Sequence, residues 1–240
     1  MANRFSQRSQ HIEIMDDLNC HGEVVEQTLR ELEVINRWLG GNDVTISGIK
    51  KLVERSNLVS RVITIADLGC GGGDILKEID RWANKHNFKV RLIGIDANPF
   101  IVRFAERNCS HYPNIEFRVQ NVFDPDFQSQ SYDIVIATLF THHFNSRDLS
   151  QLFSSLYQQA RIGVVINDLH RHWLAYHSIK ILTGLFSRSK MVKFDAPLSV
   201  LRAFAKKELV DILNNAGIER YFLRWKWAFR WQLIIPKTLA

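Results

Sequence analysis

A chain of 240 residues, 46% apolar with a net charge of +6, is long enough for one domain with additions and a sizeable core. No apolar run reaches a membrane span, and the opening Met-Ala-Asn-Arg-Phe-Ser-Gln-Arg lacks the apolar centre of a signal peptide, so a soluble cytoplasmic protein is expected. Cys20, Cys70 and Cys109 are few and far apart, which argues for a reducing compartment and against a disulfide frame or a zinc site.

The first predicted element is a helix over residues 21–39, where Val25, Thr28, Leu29, Leu32, Ile35, Asn36 and Leu39 recur at helical spacing before Gly40-Gly41. A second, short helix follows Ser47, with Ile49, Leu52 and Val53 on one face. Both precede the first predicted strand. They are therefore assigned to an N-terminal helical cap, residues 1–58, ahead of a main domain over 59–240.

That first strand, Ile63-Thr64-Ile65-Ala66, runs into Asp67-Leu68-Gly69-Cys70-Gly71-Gly72-Gly73-Asp74. Glycines at a turn that opens a helix let the backbone approach a ligand without interference from a Cβ. A second apolar run, Val90 to Ile95, ends in Asp96 at the distance one βαβ unit requires. An acid there suits a pair of ribose hydroxyls. A dinucleotide fingerprint needs a third glycine where this chain has Asp74. The pattern Asp-x-Gly-x-Gly-x-Gly instead resembles the class I S-adenosylmethionine (SAM)-dependent methyltransferases, from about residue 60 to the C-terminus. The resemblance implies a glycine turn, Gly69, Cys70 and Gly71, that takes the methionine part of the cofactor. It implies Asp67 near the methionine ammonium and Asp96, with Ala97, at the ribose. Cys70 is a small packing residue in that turn.

The helix after the glycine turn shows the stripe Ile75, Leu76, Ile79, Trp82 and Ala83. Asn98-Pro99 then supplies an N-cap and a first-turn proline, with Ile101, Phe104 and Ala105 facing inward. Strands at 115–119, 132–137 and 162–166 follow, the last two joined by a helix from Ser146 with a continuous apolar face. Five strand-helix repeats of this kind predict an α/β parallel sheet with helices on both faces, and the resemblance implies its Rossmann-like form, seven mostly parallel strands with an antiparallel last strand. The rhythm breaks at an apolar and basic insertion, about 170–205. A final helix from Lys207 stops at Gly217, and two strands near 219–226 and 229–235 complete the sheet.

Ligands of open α/β sheets sit beyond the carboxyl ends of the strands. By the same resemblance, Asn121 stands where the family has an acid that accepts from the adenine amino group, Val122 supplies a backbone donor, and Thr138 ends the fourth strand. Thr141-His142-His143 follows, and His143 matches the family position for a base beside the methyl group. His170, after Asp168 at the end of the fifth strand, is the second candidate base, with Asp168 either supporting it or capping the insertion. Each histidine has a structural alternative as a backbone anchor. The histidines lack the spacing and companion ligands of a recognisable metal site, so no metal is expected.

The resemblance thus implies a methyltransferase that binds SAM, releases S-adenosylhomocysteine and acts by in-line displacement on a small aromatic or apolar acceptor, at oxygen more than at carbon. The dispersed positive charge, and the lack of Asn-Pro-Pro-Tyr or Pro-Cys motifs, count against nucleic acid as the acceptor. An RNA or protein methyltransferase, or a SAM-binding partner protein without turnover, are the alternatives. A homodimer is compatible with the sequence.

Overall fold

The computed structural model describes residues 4–56 and 61–237. Within them β1 (Ile63–Leu68), β2 (Val90–Asp96), β3 (Ile115–Val119), β4 (Tyr132–Thr138), β5 (Ala160–Leu169), β6 (Phe222–Lys226) and β7 (Arg230–Pro236) form one sheet in the order β3-β2-β1-β4-β5-β7-β6. The first five strands pair in parallel, and β7 runs antiparallel between β5 and β6. Order reverses at β1, so the carboxyl ends of β1, β2 and β4 open a crevice at the switch point.

Strand residues alternate between two cores, as a pleat with both faces covered requires. Ile63, Ile65, Ile134, Ile136 and Val165 face a layer that includes α2 (Gly41–Glu54) and α3 (Asp74–Lys85). Ala66, Leu68, Val135, Ala137, Val164 and Ile166 face the layer of α6 (Ser146–Gln159) and α9 (Lys206–Asn215). Phe153, Leu156 and Leu213 are fully buried there, each stabilising by roughly 1.5–3 kcal/mol.

The chain departs from the sequence expectation in several places. Helix α1 (Glu23–Trp38) ends near its expected point, but α2 begins at Gly41 rather than after Ser47. Gly40, at φ 66°, makes the reversal that lets one helix follow directly on the other. A Cβ at Gly48 would come within 2.5 Å of Val165, so α2 lies tight on β5 and contributes Ile49, Leu52 and Val53 to the sheet's own core. The boundary placed at residue 58 lies outside the described residues. Between α4 (Pro99–Asn108) with β3 and the following β4 stands only one turn, α5 (Pro125–Gln128), not a full helix. The insertion is two helices, α7 (Trp173–Phe186) and α8 (Lys190–Arg202), with Pro197 buried within α8.

The N-terminal part of the expected cap is a strap rather than a helix. Among the described residues ahead of α1, only Ile14–Asp16 makes a helical turn, of 3-10 type. The strap is held by polar contacts to the insertion: the peptide N–H groups of Ile14 and Met15 donate to Asp195 at 2.8 and 3.1 Å. Arg8 donates to the carbonyls of Arg202, His142 and Phe144 at 2.7, 3.0 and 2.8 Å. A cavity of about 1130 Å³ lies between the strap, α1, α7 and the carboxyl ends of the strands.

Candidate active site

The glycine turn forms one wall of the cavity. Gly69, Gly71 and Gly73 all have left-handed backbone, at φ 63°, 50° and 78°. A Cβ at Gly69 would lie 2.2 Å from the Phe140 ring, and the Cys70 amide donates to the Ile95 carbonyl at 3.1 Å, tying the turn to β2. Cys70 is buried with its thiol pushed well up, by burial first and then by Asp96 and Asp67, so it stays protonated and packs.

Asp67 is 1% exposed, and neither of its carboxylate oxygens has a hydrogen-bond partner. Burial, with Asp96 and Asp74 nearby, pushes its carboxyl well above the usual range. A buried carboxylate without a donor is costly unless a cation or a donor reaches it. Asp96 accepts from the Asn98 amide at 2.9 Å. Burial raises its carboxyl, opposed by the amides of Asn98 and Gly71. Ala97, Asn121, Val122 and Thr138 line the same cavity as Asp67, Gly69, Cys70, Gly71 and Asp96. The Asn121 side-chain oxygen already accepts from the Phe123 amide at 3.0 Å, which leaves its second lone pair for a ligand donor. The Thr138 hydroxyl meets that of Thr45 at 2.8 Å.

Beyond β4 the chain takes a left-handed residue, Leu139 at φ 54°, and a single 3-10 turn over Thr141–His143. This turn buries His142 and leaves His143 partly open, although both line the cavity. His142 Nδ1 lies 2.7 Å from Asp168 Oδ1, and Asp168 Oδ2 accepts from the Thr141 hydroxyl at 2.6 Å and the His142 amide at 3.0 Å. Burial alone would raise the Asp168 carboxyl, but His142, Thr141 and the Leu169 amide hold it well below the usual range. In neutral His142 a proton shared with Asp168 sits on Nδ1, which leaves Nε2 basic.

The strap supplies the opposite side. Glu13 is 4% exposed, and its Oε1 lies 3.7 Å from His142 Nε2 without a hydrogen bond. Burial pushes its carboxyl up to about 7, against His143, Ser199 and Arg202. His143 Nδ1 lies 2.5 Å from Asp16 Oδ1, and Asp16 also pairs with Arg202. Burial is outweighed at Asp16 by His143 and Arg202, which hold its carboxyl well below the usual range.

His170 stands elsewhere. It does not line the cavity: its amide pairs with the Phe229 carbonyl at 2.8 Å, and its Nδ1 accepts from the Trp225 indole at 3.2 Å. Asp168 does not support it, because the end of β5 turns Asp168 toward His142. We expect His170→Ala to leave turnover unchanged; a loss as large as that from a cavity histidine, measured under saturating conditions, would return His170 to the site.

Two further differences concern residues that sequence spacing could not join. Among the described residues Glu13, His142 and His143 offer atoms within 4.8 Å of one another, so the histidines do have a companion ligand, brought by the strap from far along the chain. The Arg202 guanidinium stands 3.5 Å from Glu13 Oε1, where it competes with a metal cation for the same oxygen. Arg230, at the start of β7, also lines the cavity and is fully buried. Its signal in the sequence is faint: one base in a strand alternating bases and aromatics.

Comparison with known proteins fits this geometry. Residues 65–163 match the family described as "Methyltransferase domain". No functionally curated protein shows significant sequence similarity to the chain. Magnesium protoporphyrin IX methyltransferase from Synechocystis PCC 6803, solved with SAM, is 16% identical over 93% of this chain and 89% of its own, with a TM-score of 0.55. Human N-acetylserotonin methyltransferase, also solved with SAM, is 15% identical over 90% of this chain and 56% of its own, at 0.62. The CurJ carbon methyltransferase is 19% identical over 80% and 53%, at 0.58. The chain spans about half the length of these last two. The chain has the class I methyltransferase fold.

Proposed function

We propose that the protein transfers a methyl group from SAM to a small aromatic or apolar acceptor, at oxygen in preference to carbon, and releases S-adenosylhomocysteine. The observation that carries this reading is the pair His142–Asp168 on the same cavity as the partnerless Asp67 carboxylate. Asp67 fits the cofactor's ammonium group, because a buried carboxylate with unused acceptors is satisfied by a cationic donor. Asp96 and the glycine turn would hold the ribose and the amino-acid portion, and Asn121 with Val122 the adenine. When bound, SAM supplies a methyl group already activated by the sulfonium charge.

The chain's own work is then alignment, exclusion of water and proton removal. The strap and α7 close the cavity; Leu32, Ile35, Ile179 and Leu182 line it with apolar surface. His142 Nε2 accepts the acceptor's hydroxyl proton, and Asp168 keeps the imidazole in the required tautomer and supports its positive charge. His143, held by Asp16, is the second group within the same wall. A volume of about 1130 Å³ exceeds the usual range for one small ligand, in keeping with a cofactor and an acceptor side by side. The RNA alternative loses support because Arg171, Arg202 and Arg230 are spent in the interior.

Calorimetric titration with SAM, and separately with NAD, tests the reading. Binding of SAM and S-adenosylhomocysteine alone is expected, and Asp67→Asn should weaken SAM by about tenfold or more. Heat with NAD, or with neither, would sink the assignment. A chelator should not alter turnover; activity lost to it and restored by a divalent ion would move Glu13, His142 and His143 from proton transfer to metal binding.

A further inference from the structure

Arg230 is 2% exposed, and its Nε and Nη1 have no hydrogen-bond partner. Its one hydrogen bond is from Nη2 to the Asn36 side-chain oxygen, at 2.8 Å. Asp168, the acid whose charge acts on it, makes no ion pair with it: the Asp168 oxygens are occupied by the His142 ring and amide, the Thr141 hydroxyl and the Leu169 amide. Burial brings the Arg230 guanidinium down to about 10, with Asp168 opposing. The amino end of α2 adds to the positive field, since a Cβ at Gly41 would sit 2.8 Å from Nη2. A buried guanidinium with unused donors is strongly unfavourable unless an anion meets it, and the planar fork matches a carboxylate.

We propose that Arg230 is the anchor for a carboxylate on the methyl acceptor, so that the substrate is an apolar or aromatic hydroxy acid rather than a neutral phenol. The inference rests on the reading of the cavity as shared by cofactor and acceptor. Asn36, Leu39 and Phe229 line the cavity with Arg230, so the anion would be received at a largely apolar wall. Arg230 follows Phe229 at the start of β7, paired in register with Leu169, the residue after Asp168. Arg230 and Asp168 therefore stand at one end of β5 on opposite faces of the sheet, and the cavity beyond that end, lined by both Arg230 and His142, is where one acceptor would bridge them. Arg230 positions the acceptor and takes no part in proton transfer.

The test uses 6-hydroxy-2-naphthoate and its methyl ester, both fluorescent and both carrying the same hydroxyl. With the protein saturated in S-adenosylhomocysteine, the acid should bind at least about tenfold more tightly than the ester. Arg230→Gln should erase that preference, Arg230→Lys should restore part of it, and SAM affinity should stay at the parent value in both. Equal binding of acid and ester by the parent protein would overturn the proposal without any variant. So would a preference that survives Arg230→Gln. Preference for the acid in a protein that fails to bind SAM would leave the anion site standing and remove the methyltransferase reading instead.

Discussion

His142→Gln should lower kcat by roughly 10²–10⁴-fold, the range a general base contributes, while SAM affinity stays unchanged. With Nδ1 turned to Asp168, Nε2 is the ring atom left to accept a proton. His143→Gln should cost far less, because its Nδ1 is committed to Asp16. Asp168→Asn should resemble His142→Gln in rate, since an amide no longer holds the imidazole tautomer. It should also lower stability at neutral pH by about 3–5 kcal/mol, through loss of one partner of a buried pair. The sign with pH follows from the depressed Asp168 carboxyl. Its contribution is complete above the ordinary aspartate value of about 3.9, and is lost as pH falls through the lower folded value. The variant's acid unfolding curve should therefore be flatter than the parent's. Steady-state methylation with an isotopic methyl donor and acid melts by circular dichroism read these outcomes. A His142→Gln enzyme that keeps parental kcat would remove the general base from the mechanism.

Gly69→Ala should disable the protein in two ways at once. Left-handed backbone costs an alanine about 1–2 kcal/mol, and forcing a methyl group into the Phe140 ring costs a further 1–3 kcal/mol or so. The ring cannot swing freely, because it packs against Phe144 at 5.0 Å between centroids. Displacing the turn by the size of that clash should lower kcat/KM by about 10²-fold. Gly71→Ala supplies the control. It shares the left-handed penalty, but its Cβ would meet only Leu29, at an ordinary 3.5 Å. A thermal melt should rank parent, Gly71→Ala and Gly69→Ala in falling stability. The reverse order would mean that the turn tolerates the clash and that its backbone path is not set by Phe140.

The sheet, and the meeting of the proposed cofactor residues on one cavity, were legible in the sequence because they are encoded locally. An apolar strand, the glycines at 69, 71 and 73, and Asp96 one unit later lie within a few dozen residues. Each type has one physical use there. The reactive half was not legible, since it is built across the whole chain. Nothing near His142 in the sequence marks it over His143; only the 3-10 turn after Leu139 decides which ring is buried against Asp168. Asp168 was read with His170 because they are neighbours in sequence. Residues two apart in a strand share a face, but β5 ends at Leu169, and His170 beyond it is held by the Phe229 carbonyl while Asp168 meets His142. Glu13 and Asp16 belong to a strap with almost no helical or strand periodicity, so no pattern predicted where they would lie. Helix α2 began early because glycine, asparagine and aspartate weaken any helix forecast, while close contact with Val165 rewards the same glycine.

The strap also has a bearing on how the protein is made. Arg8 is separated from its Arg202 carbonyl partner by 194 positions, and Arg230 from Asn36 by the same span. Loops of such length are closed late, since the entropy of joining distant segments must be met before the contacts repay it. A nascent chain can pair β1 with β2 and shape the nucleotide crevice soon after those strands leave the ribosome. The strap cannot take its place until α8, which carries Asp195 and Arg202, has been synthesised, so the wall that holds Glu13 and Asp16 is set after the crevice along the path of synthesis itself.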